Sequence, residues 1–259
     1  MIDVKCLASG SFGNSYAVDD GESVLLLEAG IQKNKILSGY ADRLARVAGC
    51  LVTHEHADHA KAAVQLTDCG IDVYASQGTL DAIRPTPTLR SYRFHTLRAG
   101  RQTQIGSWVV LPWEAQHDAA EPLGFLLYSQ RTAERLLFAT DTYYIPNRFP
   151  KLDYIMVECN YDKTILLRNI AEGLVPESFK TRLYQSHFSL DNVRAFLTAN
   201  DLSRVQHIYL LHVSGGNGDR ESFGRDIEGR EIHARRQAHN ERAELVQKGR
   251  QLLRRFQNL

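Results

Sequence analysis

The sequence predicts an α/β (α+β) protein: a four-layer αββα sandwich of two mixed sheets with helices on both outer faces. Three observations predict it. The first half alternates short apolar runs of strand length with a segment of helical periodicity. The middle is rich in strands, and the last third returns to helices before one more apolar strand. Two sheets that each need cover on both faces give this layering.

Each element follows from local pattern. Val4 to Leu7 is a short strand ended by the turn-rich run SGSFGNS. Strands Ser15 to Val18 and Ser23 to Leu27 flank Asp19-Asp20-Gly21, a hairpin signal. Ile36, Leu37, Tyr40, Leu44 and Val47 fall at helical spacing, which predicts a helix over about 32–47. Gly49 to Val52 is a buried strand, Ala60 to Cys69 a helix stopped by Gly70, and Val73 to Ala75 a strand. Pro85 and Pro87 make 83–89 a loop. Trp108 to Pro112, Leu123 to Ser129, Arg135 to Thr140 and Tyr154 to Glu158 are strands. Helices follow over about 163–172, 176–184 and 189–200, then a strand from Val205 to His212. No repeat or linker divides the chain, so 1–228 reads as one domain and 229–259 as a charged, helical segment attached to it.

Composition excludes several classes. With 43% hydrophobic and 24% charged residues, the chain is neither disordered nor fibrous. No apolar run approaches the ~20 residues that span a bilayer, so no membrane partner is expected. The opening MIDVKCLASG lacks the pattern of a secretory signal. Cys6, Cys50, Cys69 and Cys159 are scattered, which fits small core residues in the reducing cytoplasm better than a disulfide frame. From Arg220 onward ten Lys/Arg face six Asp/Glu, a net of +4 within a total of +1. That stretch reads as solvated surface helices or as a nucleic-acid contact.

One run carries chemistry. Residues 53–59 read Thr-His-Glu-His-Ala-Asp-His, directly after a buried strand and before a helix. In an extended segment, i and i+2 point to the same side, so His54 and His56 share a face. The turn into the helix brings Asp58 and His59 beside them. Imidazole plus carboxylate suits zinc, manganese or iron.

These residues resemble the H-x-H-x-D-H signature of the metallo-β-lactamase superfamily. The resemblance points to three further ligands in chain order: His117 after the strand Val109 to Pro112, Asp141 ending Leu-Leu-Phe-Ala-Thr-Asp, and His212 ending a late strand. It implies two divalent ions, Zn²⁺ or Mn²⁺. One is held by His54, His56 and His117, the other by Asp58, His59 and His212, and Asp141 bridges them. Two cations about 3.5–4 Å apart make hydroxide available at neutral pH, so the resemblance makes Asp58 and Asp141 part of the catalytic apparatus as well as ligands. Oxygen-reducing diiron members carry Glu where this chain has His56, which favours hydrolysis.

Further matches resemble the YycJ-like branch, common in bacteria and in phage or prophage genomes. They are the opening Leu-Ala-Ser-Gly-Ser-Phe-Gly-Asn-Ser-Tyr, the run 116–125, Phe138-Ala-Thr-Asp-Thr, Glu158-Cys-Asn-Tyr and Ser186-His187-Phe188-Ser189. The resemblance covers roughly 2–228 and implies a 5′ exonuclease on DNA. It departs at Glu28, where the family carries Asp, and over the tail. Glu28 reads as a carboxylate supporting the metal-binding loop, and Asp118 as a partner of a metal-bound imidazole. His187 reads as an active-site acid or phosphate contact, or as a hydrogen bond at the entry of the helix capped by Ser189. Ser11 and Asn14 lie on a Gly-flanked turn that offers backbone N–H groups to a phosphate, or simply connects two strands. Tyr143, Tyr144, Asn147 and Arg148, just after Asp141, read as a groove lining that stacks bases and contacts phosphate, or as ordinary loop residues.

The leading expectation is therefore a dinuclear phosphodiesterase acting on nucleic acid, DNA before RNA. Two alternatives stay open. A lactone or thioester hydrolase would need an apolar acyl pocket; a non-enzymatic nucleic-acid accessory would need no intact ligand set.

Overall fold

The computed structural model describes residues 1–83, 91–219 and 221–227. The first sheet runs in chain order: β1 (Asp3–Ala8), β2 (Ser15–Asp19), β3 (Val24–Leu27), β4 (Val47–Leu51), β5 (Val73–Ala75) and β6 (Phe94–Thr96). The second contains β7 (Thr103–Ile105), β8 (Trp108–Glu114), β9 (Leu123–Ser129), β10 (Arg135–Ala139), β11 (Tyr154–Glu158) and β12 (His207–Leu211), also in sequential order. Both sheets are mixed. β1 to β3 are antiparallel and β3 to β6 parallel; β7 to β10 are antiparallel and β10 to β12 parallel.

The layers follow from strands buried on both faces, which read as continuous apolar runs. All four residues of β3 are buried. Leu25 and Leu27 join Trp108, Phe125 and Phe138 between the sheets. Val24 and Leu26 turn the other way, toward α1 (Lys33–Gly39), α3 (Ala63–Asp68) and α4 (Gln77–Ile83), where Ile36, Leu66 and Leu80 cover them. In β11, Tyr154 and Met156 face the inter-sheet core. Ile155 and Val157 pack under Val193, Phe196 and Leu197 of α7 (Leu190–Ala199). α5 (Lys163–Ala171) and α6 (Ser178–Ser186) add a small cluster of Leu166, Leu183 and Tyr161 beside the second sheet. Phe223 and Ile227, in a helical stretch over 221–227, close the outer layer, and Asp226 pairs with Arg194 at 2.9 Å. The expected segment 229–259 lies outside the described residues.

Several boundaries differ from the sequence expectation. The helix over 32–47 stops at Gly39, and Val47 instead opens β4. The expected helix from Ala60 to Cys69 is two pieces, α2 (Ala57–Ala60) and α3. The break has a cause: the carbonyl of Asp58 accepts the N–H of Asn14 at 2.8 Å, and the N–H of Ala62 goes to Ala29 at 2.8 Å. The bond that would continue the helix is thus spent on a neighbouring loop. Most of the expected loop over 83–89 lies outside the described residues, and Ile83 ends α4, a helix the composition did not announce. Cys50 and Cys159 are buried as expected, but Cys6 and Cys69 are exposed; none of the four forms a disulfide.

The parallel strands β3, β4, β10, β11 and β12 deliver their carboxyl ends to one rim of the sandwich, where open α/β sheets place their ligands.

Candidate metal centre

Every candidate ligand sits just past a strand or on a short loop at that rim. Glu28 follows β3, residues 53–59 follow β4, Asp141 follows β10, Glu158 ends β11 and His212 follows β12. Glu28, Asp141 and His212 hold positive φ angles of 66°, 45° and 50°. L side chains avoid this left-handed region, at a cost of roughly 1–3 kcal/mol each, and such strain clusters at functional sites.

The imidazoles converge. The ligand atoms of His54, His56 and His117 lie within 4.8 Å of one another, as do those of His54, His59 and Asp141. His54 Nε2 approaches His56 Nδ1 at 3.1 Å, and His117 Nε2 approaches the same atom at 3.3 Å. Asp141 Oδ2 lies 3.3 Å from His59 Nε2, 3.7 Å from His117 Nε2 and 3.9 Å from His54 Nε2. Its other oxygen lies 2.6 Å from His212 Nδ1. Asp58 Oδ2 is 3.4 Å from His59 Nε2 and 4.0 Å from His212 Nε2.

The ring orientations fit a cation. His54 Nδ1 meets the Thr53 hydroxyl at 2.9 Å, and His117 Nδ1 donates to the Ser186 carbonyl at 2.8 Å. His59 Nδ1 faces Glu28 Oε1 at 3.5 Å, and neither atom has a hydrogen bond. Three rings therefore have Nδ1 turned outward and Nε2 turned toward Asp141, the arrangement in which an outer partner fixes the tautomer of a metal ligand. Glu28 is fully buried, and its second oxygen accepts the N–H of Thr53.

Burial, helped by the neighbouring His59, pushes the His54 pKa well below its usual value. Burial alone would raise Asp141, but His59 and His212 hold it well below the carboxylate range. His59 moves the other way: burial would lower it, and Asp141 and Glu28 raise it well above the ordinary value. Without a metal, positive imidazole offsets buried carboxylate; a cation would replace that proton.

Beside the cluster lies a cavity of about 300 Å³ lined by Ser11, His56, Asp58, His117, Asp141 and His187, among others. His187 Nδ1 meets Glu158 Oε1 at 2.6 Å. Burial would lower the His187 pKa, but Glu158 raises it to about 9. Glu158 Oε2 also accepts the N–H groups of Thr142 and Phe188. The sequence places this fully buried carboxylate in a matching motif without assigning it a role; a charge closing the apolar run Tyr-Ile-Met-Val-Glu was the available signal.

Three expectations need correction. Asn14 is buried, and its side chain bonds Gly10 N, Tyr16 OH and the Asp58 carbonyl, so it supports the loop and does not reach substrate. Asp118 is exposed on the cavity wall, and the partner of the His117 ring is the Ser186 carbonyl. Arg148 is exposed and lines neither cavity next to the cluster, because the chain after Tyr144 turns inward at Ile145 and Phe149. Arg182 of α6 lines both. Tyr143 lines the second, next to Gln116 and His117.

Residues 26–213 match the family described as beta-lactamase superfamily domain. The chain is 31% identical over 229 residues to exodeoxyribonuclease YycJ of Bacillus anthracis, covering 83% of each protein. It is 28% identical over 228 residues to exodeoxyribonuclease WalJ of Streptococcus pneumoniae, covering 83% of this chain and 82% of that one. The metallo-beta-lactamase fold protein YhfI from Bacillus subtilis shares the fold with a TM-score of 0.64 at 12% identity, over 87% of this chain and 91% of that chain. A diphosphatase from the PhnP family does so with a TM-score of 0.60 at 16% identity, over 86% and 91%.

Proposed function

Because the chain belongs to the beta-lactamase superfamily, in the branch of the YycJ and WalJ exodeoxyribonucleases, we propose that it is a metal-dependent nuclease, a 5′ exonuclease on DNA. The observation that carries the reading is the set of three imidazoles whose Nε2 atoms converge on Asp141 while their Nδ1 atoms face outward. In this reading His54, His56 and His117 would hold one ion and Asp58, His59 and His212 a second, with Asp141 a further donor to the centre. Zn²⁺ and Mn²⁺ both suit such donors. Bound there, divalent cations supply Lewis-acid activation of water and neutralise charge developing at phosphorus.

The chain's own residues do the rest. Glu28 and the Ser186 carbonyl orient the rings of His59 and His117. Glu158 holds His187 through Nδ1, which leaves Nε2 as the free nitrogen of a ring lining the cavity. With a pKa of about 9, that ring keeps a proton at neutral pH and is placed to give it to a leaving oxygen. Arg182 supplies a cation on the cavity wall for a backbone phosphate. The cavity is lined mostly by imidazole, carboxylate, amide and guanidinium groups, with Phe179 and Leu183 its apolar residues, which favours a phosphodiester over an acyl substrate.

The test is a nuclease assay on 5′-phosphorylated and 5′-hydroxyl DNA and RNA strands with added Mn²⁺ or Zn²⁺. Wild type should release nucleotides, and Asp141→Ala and His59→Ala should abolish release. A protein shown to bind metal that cleaves no strand would overturn the reading and direct attention to lactones and thioesters.

A further inference from the structure

The loop between β1 and β2 carries the most exposed large apolar side chain among the described residues: Phe12 is 101% exposed. The loop is firmly fastened. Ser9 Oγ accepts the N–H of His212 at 2.8 Å and the hydroxyl of Tyr16 at 2.8 Å. At the other foot, the Asn14 backbone and side chain both donate to the Asp58 carbonyl, at 2.8 Å and 3.3 Å. Gly13 closes the turn onto Gly10 at 2.9 Å, and a Cβ at Gly13 would lie 2.6 Å from the Gly30 carbonyl oxygen. Both feet of the loop thus rest on candidate metal ligands.

Ser11, one residue before Phe12, lines the cavity beside those ligands. On α6, Phe179 and Arg182 line the same cavity, and Phe179 is 38% exposed. A fastened loop that carries a bare phenyl ring one residue from the lining of a polar cavity, with another aromatic and a cation on the cavity wall, has the composition of a single-strand binding groove. Bases of any identity stack on aromatic rings, and cations follow the backbone.

We propose that Phe12 is a substrate-positioning residue whose ring stacks on a nucleobase next to the scissile phosphate, with Phe179 and Arg182 as the cavity-wall contacts of the same strand. The proposal rests on the nuclease reading. It differs from a structural role because, among the described residues, the ring packs on nothing, so its removal should leave folding intact.

The test compares wild type, Phe12→Ala and Phe12→Trp on a short single-stranded DNA and on the same strand with tetrahydrofuran abasic residues at its first two 5′ positions. Binding is read by fluorescence anisotropy in chelator at low salt, and cleavage with Mn²⁺. Phe12→Ala should weaken binding and raise KM about 5- to 100-fold on the ordinary strand, with Tm unchanged. It should match wild type on the abasic strand, and Phe12→Trp should restore the ordinary one. Equal binding and KM for Phe12→Ala and wild type on the ordinary strand overturns the stacking role, and so does an equal loss on both strands. A wild type that neither binds nor cleaves any strand overturns the nuclease reading itself, a result visible before any variant is compared.

Discussion

Replacing Gly30 by Ala should disable the metal centre from outside it. A Cβ at Gly30 would lie 1.6 Å from the Asp58 carbonyl oxygen, 2.2 Å from its carbon and 2.7 Å from the Asn14 nitrogen. All three are backbone atoms, so no side chain can swing aside. Restoring an ordinary contact of about 3.2 Å requires a shift of roughly 1.6 Å between the two segments. That shift breaks the two bonds from Asn14 to the Asp58 carbonyl and the bond from Gly30 N to Asn14 O at 2.9 Å. Overpacking at about 1–3 kcal/mol, plus about 1 kcal/mol for each bond lost, gives roughly 4–6 kcal/mol. Asp58 and His59 move with the loop, and a displacement of about 1 Å at a catalytic group costs about 100-fold in rate. Urea unfolding measures the first quantity and Mn²⁺-dependent cleavage the second. Gly224→Ala is the control: nothing lies within 4 Å of its Cβ and it sits in the helical stretch 221–227, so it should be neutral or stabilising by up to about 1 kcal/mol. A Gly30→Ala protein within 0.5 kcal/mol of wild type and within a few-fold of its activity would refute the reasoning.

Two further outcomes are expected. Chelation should lower Tm, because the buried carboxylate of Asp141 loses its cation; at a hundredfold excess of metal over its Kd the difference is about 2.7 kcal/mol, or roughly 5–10 °C for a chain this long. Scanning calorimetry with and without Zn²⁺ or Mn²⁺ checks it, and an unchanged Tm contradicts it. Acid should erase the contribution of Asp19. Burial alone would raise its pKa, but the paired bonds from Arg46 at 2.5 and 2.7 Å and the N–H of Gly21 lower it. A carboxylate with a depressed folded-state pKa stabilises above its unfolded value of about 4, and that stability is lost as pH falls through the folded value. Asp19→Asn should therefore lower the urea midpoint at pH 7 and approach wild type below pH 4; a gap independent of pH would contradict the pairing.

The strand ends were the most legible part of the sequence. Leu123–Ser129 and Tyr154–Glu158 were read to the residue because two-sided burial writes an unbroken apolar run between polar flanks. The His-rich run stood out because it interrupts hydrophobic text at a strand end; His117, Asp141 and His212 were proposed only from the order of ligands that the family resemblance implies. What could not be read depended on contacts distant in sequence. The split between α2 and α3 comes from Asn14 and Ala29, more than thirty residues upstream. Asn14 looked available to substrate until the fold wrapped it between Asp58 and Tyr16. The other misses have local causes: β6 and β7 have three residues each, too few to show a period, and α4 gains its first turn from a bond to the residue before it, Thr79 N to Ser76 Oγ at 3.1 Å.

The candidate donors are divided between the two sheets. Glu28 and the run from His54 to His59 leave the first; His117, Asp141 and His212 leave the second. An ion shared by them ties positions 54 and 212 across a chain loop of roughly 160 residues. It would act as a clasp over the inter-sheet core, so that neither half could peel away without first releasing the metal. Occupancy of the site would then set whether the sandwich opens as two leaves or as one body.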